Sequence, residues 1–168
     1  LHKYIFDSRF VSLDIHHYIE ITDFTYKKYY YNIDDINIIV EVYEDDCKLD
    51  INIILHVILV MYELSNKTID TINVILVSTK QKKLISFNDG WLCNDSVNSG
   101  YTQLGDKQFI FIWRREELFK VLIHELIHFL KIRWINTDHK IKSIYNVEGD
   151  DYINESLTEI LTIIRSEE

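Results

Sequence analysis

Residues 124–128 read His-Glu-Leu-Ile-His, inside a run from Phe111 to Ile135 that holds neither glycine nor proline. Apolar side chains recur at Leu118, Val121, Leu122, Leu126, Phe129 and Leu130, which predicts a helix. Glu116 and Glu117 open the stretch, and Lys131 and Arg133 close it, in the order that complements a helix dipole. Ile123, Ile127 and Ile132 make the helix apolar on nearly every side, so the fold has to bury it centrally.

Burial of that helix raises a chemical question. Residues i and i+4 share a helix face, so the imidazoles of His124 and His128 can both reach a single metal ion. Glu125 then stands where it can take a proton from a water activated by that ion, an arrangement suited to amide hydrolysis. Two imidazoles and a carboxylate in a buried helix need partners, because unpaired buried polar groups are costly. The competing reading is a pair of hydrogen-bonded core histidines.

A third ligand distinguishes the possibilities. Structural zinc sites are closed by four protein ligands, whereas catalytic ones use three and leave a position for water. One known pattern places a glycine three residues, and a third histidine six residues, after the second histidine. Here those positions hold Lys131 and Trp134, so the pattern fails. Further on, Tyr152, Ile153, Leu157, Ile160, Leu161 and Ile164 give a helical apolar face, with Gly149-Asp150-Asp151 as its start. Glu155 and Glu159 lie i and i+4 on this second helix. Glu155 can complete a zinc shell, and Glu159 can accept the remaining ring N–H of a ligating histidine. Asp150 or Asp151 as third ligand stays open as a variant.

His124-Glu-Leu-Ile-His128 together with Asn154-Glu-Ser-Leu-Thr-Glu159 resembles the catalytic signature of the gluzincin zinc metallopeptidases, whose second motif has the form NExx(S/T)(D/E). The resemblance implies His124, His128 and Glu155 as zinc ligands, Glu125 as general base and Glu159 as support for a ligand histidine. The interval from His128 to Glu155 is longer than in the thermolysin-like branch, and Glu159 stands where that branch has Asp. Motif identity covers residues 120–160, and the chain ends soon afterwards, which implies a minimal, single-lobe form. The fold expected is α+β and zincin-like. It comprises a mixed twisted sheet with a backing helix, an HExxH active-site helix and a C-terminal helix carrying the glutamate ligand, in one domain over residues 1–168.

Upstream, Lys3–Phe6 and Ile19–Tyr26 read as short strands or irregular structure, followed by the aromatic Tyr29-Tyr30-Tyr31. Ile36–Tyr43 alternates and is β-branched, hence a strand. Leu49–Leu64 reads as a helix ending at Ser65-Asn66, Ile72–Ser78 as a strand with a partner at Leu84–Phe87, and Phe109–Trp113 as another strand. Residues 88–105 are polar, hold three of the 4 glycines, and read as loop or irregular strand. In metallopeptidases of the kind it resembles, substrate lies extended along an edge strand, and residues 97–102 are the expected edge. There Gly100 allows close backbone approach, and Asn98 can bind a peptide carbonyl or amide. An ordinary Asn/Ser/Gly turn accounts for the segment equally well. An oxyanion-stabilising group is also required. His139, Tyr145 and Tyr152 lie between the two motifs, and Tyr145 and His139 are the candidates.

Composition narrows the partners. Net charge is −9 with pI near 5.2 in 168 residues, which argues against nucleic acid and anionic membrane. Cys47 and Cys93 form no framework spacing, consistent with a reducing cytosol. The apolar run from Ile51 to Tyr62 is too short to span a bilayer. The chain begins at Leu1, which leaves room for an upstream leader or propeptide. His56 reads as a core histidine, His16-His17 as surface, and Arg114 to Glu117 as a solvated charge cluster at a helix start. The expectation is a zinc-dependent peptidase acting on peptide or protein substrates. Endopeptidase action is favoured because no GxMxN-type amine-binding motif precedes the first histidine. The alternatives are an inactive zinc-binding scaffold or interaction module and a domain without metal.

Overall fold

The computed structural model describes residues 10–46, 48–83, 98–132, 158–160, 162 and 163. The described elements are α1 (Leu13–Ile21), β1 (Thr25–Ile33), β2 (Ile36–Glu44), α2 (Ile51–Glu63), β3 (Thr71–Thr79), β4 (Gly100–Gln103), β5 (Phe109–Arg114), a 3-10 turn (Arg115–Glu117) and α3 (Leu118–Phe129). Residues 158–160, 162 and 163 are also helical. The class is α+β with a mixed five-stranded sheet in the order β1-β2-β3-β5-β4. β1 and β2 form an antiparallel hairpin in which Ile33 faces Ile36 across the two-residue turn Asp34-Asp35. Asp34 takes a φ of 49°, a left-handed conformation that Asp tolerates better than most residues. β2 and β3 run parallel, joined through α2, and β3 pairs parallel with β5. β4 closes the sheet as an antiparallel edge, Gly100 facing Ile112 and Thr102 facing Ile110.

Strand alternation divides the core between two sheet faces. Ile38, Val40, Val42, Val74, Leu76, Ile110 and Ile112 point to the face covered by α2 and α3, meeting Ile54, Ile58, Leu122 and Leu126. Ile75, Val77, Phe111, Trp113 and Tyr101 point to the other face, under Val11, Ile15 and Ile19. At 25 cal/mol per Å2, each fully buried aliphatic side chain of the strands and helices contributes roughly 1.5–3 kcal/mol. Asp50 caps α2 by accepting from the N–H groups of Asn52 and Ile53 at 3.0 and 3.4 Å.

The structure corrects several sequence expectations. Ile19–Tyr26, expected as short strand or irregular structure, opens in a helix instead: α1 runs through Ile21, and only Thr25 and Tyr26 of the segment are strand, as the start of β1. Ser12 caps α1 by accepting from Ile15 N–H at 3.3 Å, and Ile15 and Ile19, four apart, bury against the second sheet face. The three tyrosines belong to β1, with Tyr29 and Tyr31 turned toward the helices and Tyr30 exposed. By contrast, β4 at Gly100–Gln103 agrees with the loop or irregular strand expected over 88–105. His56 lies on the exposed face of α2 instead of in the core, because Ile54, Ile58 and Met61 take the inward positions. Arg114 is buried at 3% exposure, since β5 is an interior strand covered on both faces to its last residue. Lys3–Phe6 and Leu84–Phe87 lie outside the described residues. No helix among the described residues is long and apolar enough to cross a membrane.

Candidate active site

α3 is positioned by its buried side. Leu118, Leu122, Leu126 and Phe129 lock it beneath the sheet, which leaves Lys120, His124 and His128 on a flank that follows the i, i+4 spacing. The helix ends at Phe129, and beyond its cap Leu130 the residue Lys131 takes a φ of 52°, with Lys131 N–H reaching His128 O at 3.1 Å and Ile132 N–H reaching Ile127 O at 3.0 Å.

The two histidines converge. His124 Nε2 and His128 Nε2 are 3.1 Å apart, with ring centroids at 4.8 Å. Two imidazole nitrogens sharing one tetrahedral zinc at ~2.0–2.1 Å lie roughly 3.3 Å apart, so the pair fits as two of its ligands. His124 Nδ1 lies 3.2 Å from Glu159 Oε1. An N–H donated there places the lone pair of His124 on Nε2, the nitrogen facing His128. Glu159 Oε2 also meets Lys120 Nζ at 3.4 Å. Among the described residues no group of three His, Cys, Asp or Glu side chains gathers to hold a metal. Glu155, Tyr145, His139 and the variant ligands Asp150 and Asp151 lie outside the described residues.

Glu125 is nearly buried, at 8% exposure, on the side of α3 that faces β4. Thr102 Oγ1 donates to its Oε2 at 2.6 Å, with the Glu125 carbonyl oxygen farther away at 3.2 Å. A cleft of about 150 Å3 opens beside His124 and Glu125, with Asn98, Ser99 and Gly100 on one wall and Glu159 on another. Asn98 and Gly100 are therefore brought to the same cleft as the HExxH residues. The Asn98 amide donates to Phe10 O at 3.3 Å. At Gly100 the missing side chain admits the helix itself: an added Cβ would sit 2.5 Å from Val121 Cγ1 and 3.0 Å from Phe111 O.

A polar network borders the cleft. Ser99 Oγ donates to Glu117 Oε2, Lys83 Nζ pairs with Glu117 at 3.3 Å, and Arg114 Nη1 donates to Ser99 Oγ at 3.4 Å. Burial pushes the Glu117 carboxyl up, but the Ser99 hydroxyl and the Lys83 ammonium outweigh it and hold the pKa below the ordinary carboxylate value. Glu117 thus belongs to an ordered network instead of a solvated cluster. Lys120 carried a signal, one turn before His124, and Ser99 and Thr102 lie within the expected edge 97–102 without a role of their own; Lys83 carried none, being distant in sequence. A larger cavity of about 490 Å3, bordered by Lys28, Glu41, Asn73 and Phe109, contains none of the expected site residues. Comparison with protein-family models, with curated proteins and with solved structures finds no match.

Proposed function

We propose that the chain is a zinc-dependent peptidase with a gluzincin-like, zincin-type site, in which His124, His128 and Glu155 hold the ion. The 3.1 Å approach of the two Nε2 atoms, with Glu159 3.2 Å behind His124, is the observation that carries this reading. Zinc supplies Lewis acidity, lowering the pKa of a water and polarising a carbonyl. Glu125 takes a proton from the attacking water at its carboxylate and delivers it to the leaving amine. Glu159 keeps His124 in the tautomer with its lone pair on Nε2. Tyr145 and His139 are the residues assigned to the oxyanion.

Substrate binding follows from the edge strand. Trp113 N–H donates to Ser99 O at 3.0 Å, so that pair bonds inward to β5. Inward and outward pairs alternate in an antiparallel ladder, which turns the main-chain groups of Gly100 and Thr102 toward the side of β4 that carries no further strand among the described residues. An extended peptide can add there as a further strand, beside Glu125, with Asn98 at its end. Internal bonds of peptide or protein chains are the substrate class. A net charge of −9 disfavours nucleic acid and anionic membrane as partners, and the cysteine usage suits a reducing cytosol.

Metal content and peptide-library cleavage, measured together on wild type and Glu125→Gln, test the proposal. Stoichiometric zinc in both, with cleavage lost in Glu125→Gln, is the expected result. Near-normal turnover by Glu125→Gln sinks the mechanism. Zinc without cleavage in the wild type identifies an inactive zinc-binding module, and protein free of zinc after loading removes both readings.

A further inference from the structure

Thr102 of β4 hydrogen-bonds Glu125, a residue of the cleft 23 positions further along the chain. The Thr102 main-chain groups face the side of β4 that carries no further strand among the described residues, and its side chain faces α3, as does the space at Gly100 two residues earlier. The hydroxyl has one proton to give. At 2.6 Å from Glu125 Oε2, against 3.2 Å from the Glu125 carbonyl oxygen, that proton goes to the carboxylate. This length falls in the ~2.5–2.7 Å range of charge-assisted O–H···O⁻ bonds, the stronger class. A carboxylate on a two-carbon stem otherwise rotates about its terminal torsion, which is broad and shallow.

We propose that Thr102 is the positioning residue for Glu125, fixing the rotation of its carboxylate from the strand on which substrate docks. The inference rests on the peptidase reading above, in which Glu125 is the base. Because the anchor is an element of β4, any shift of that strand on peptide addition moves Oε2 with it. Peptide docking and the setting of the base are then one event, and a hydroxyl on this strand is required for it.

The test compares wild type, Thr102→Val and Thr102→Ser. Valine keeps the β-branched shape and removes the donor, while serine keeps the donor. With a peptide substrate selected from a library, Thr102→Val should lose kcat on the order of 10- to 100-fold. KM should stay within about 2-fold, the signature of a group that acts on the transition state and not on uniform binding. Thr102→Ser should recover most of the lost kcat, and bound zinc should be unchanged in all three. Wild-type kcat in Thr102→Val, or equal losses in Val and Ser, overturns the proposal.

A second readout needs no turnover. In metal-free protein, the Tm losses of Thr102→Val and Glu125→Ala should fall short of additivity in the double variant by roughly 2–4 °C. Additive losses overturn the anchoring. Absence of cleavage by zinc-loaded wild type counts against the peptidase reading, and the cycle then decides by itself whether the hydroxyl holds Glu125.

Discussion

His124 Nδ1 and Glu159 Oε1 stand 3.2 Å apart, joining the HExxH helix to the helical residues near the end of the chain. A proton donated from Nδ1 to this carboxylate leaves the lone pair of His124 on Nε2, the nitrogen that faces His128. His124 and Glu159 are separated by 35 positions in the chain.

Glu159→Ala should weaken zinc binding by about 10- to 100-fold, the range for lost partners behind metal-ligating histidines. Since Glu159 is 44% exposed, the metal-free fold should change by no more than about 0.5 kcal/mol. Competition with a chelator of known affinity measures the first quantity and thermal unfolding the second. Unchanged zinc affinity would remove Glu159 from the site.

Glu44 ties the hairpin to α2. Its Oε2 accepts from Lys27 Nζ at 2.6 Å, and its Oε1 accepts from the Leu49 N–H at 2.6 Å. Burial pushes the carboxyl up, but these two donors and the nearby lysine charges prevail, and its pKa lies below the ordinary value. A lowered folded pKa contributes stability that is present above the unfolded value of ~4.3 and disappears as pH falls through the folded value. Glu44→Gln should therefore cost about 1–3 kcal/mol at neutral pH, and its unfolding curve should approach that of wild type in acid. A constant gap from pH 7 down to the acid transition would refute the linkage.

Gly100→Ala should destabilise the protein by about 1–3 kcal/mol through overpacking. The clashing atom is the stiff, β-branched Val121 Cγ1 at 2.5 Å, with Phe111 O behind it at 3.0 Å. Adding Val121→Ala to this variant should restore part of the loss. Denaturant midpoints check both, and a neutral Gly100→Ala would mean that β4 does not pack this closely on α3.

Lys131→Gly should raise stability by up to about 1 kcal/mol, because φ of 52° strains a residue with a Cβ and suits glycine at a helix end. The gain should appear as a higher Tm with His124 and His128 undisturbed. A lower Tm would show that α3 ends otherwise.

The sequence by itself determined what periodicity and spacing can encode. Alternation of β-branched residues over Ile36–Tyr43, the apolar run in Ile72–Ser78, and the unbroken apolar pattern around His124 each report a local geometry that one segment specifies alone. The five-residue motif likewise carries the shared face of its histidines, since 3.6 residues per turn is a property of the backbone. Tertiary structure decided everything that needs a distant partner. Thr102 meets Glu125 only because β4 pairs with β5 in the register Thr102 to Ile110 while α3 lies against that sheet face. Arg114, read locally as solvated, is buried because β3 and β4 flank β5. His56 looks like core among Ile, Leu and Val, yet α2 buries only one side, and burial follows the face that meets the sheet instead of the hydropathy of neighbours. Local sequence sets the direction in which a side chain leaves its own element; the packing of elements decides what it meets there.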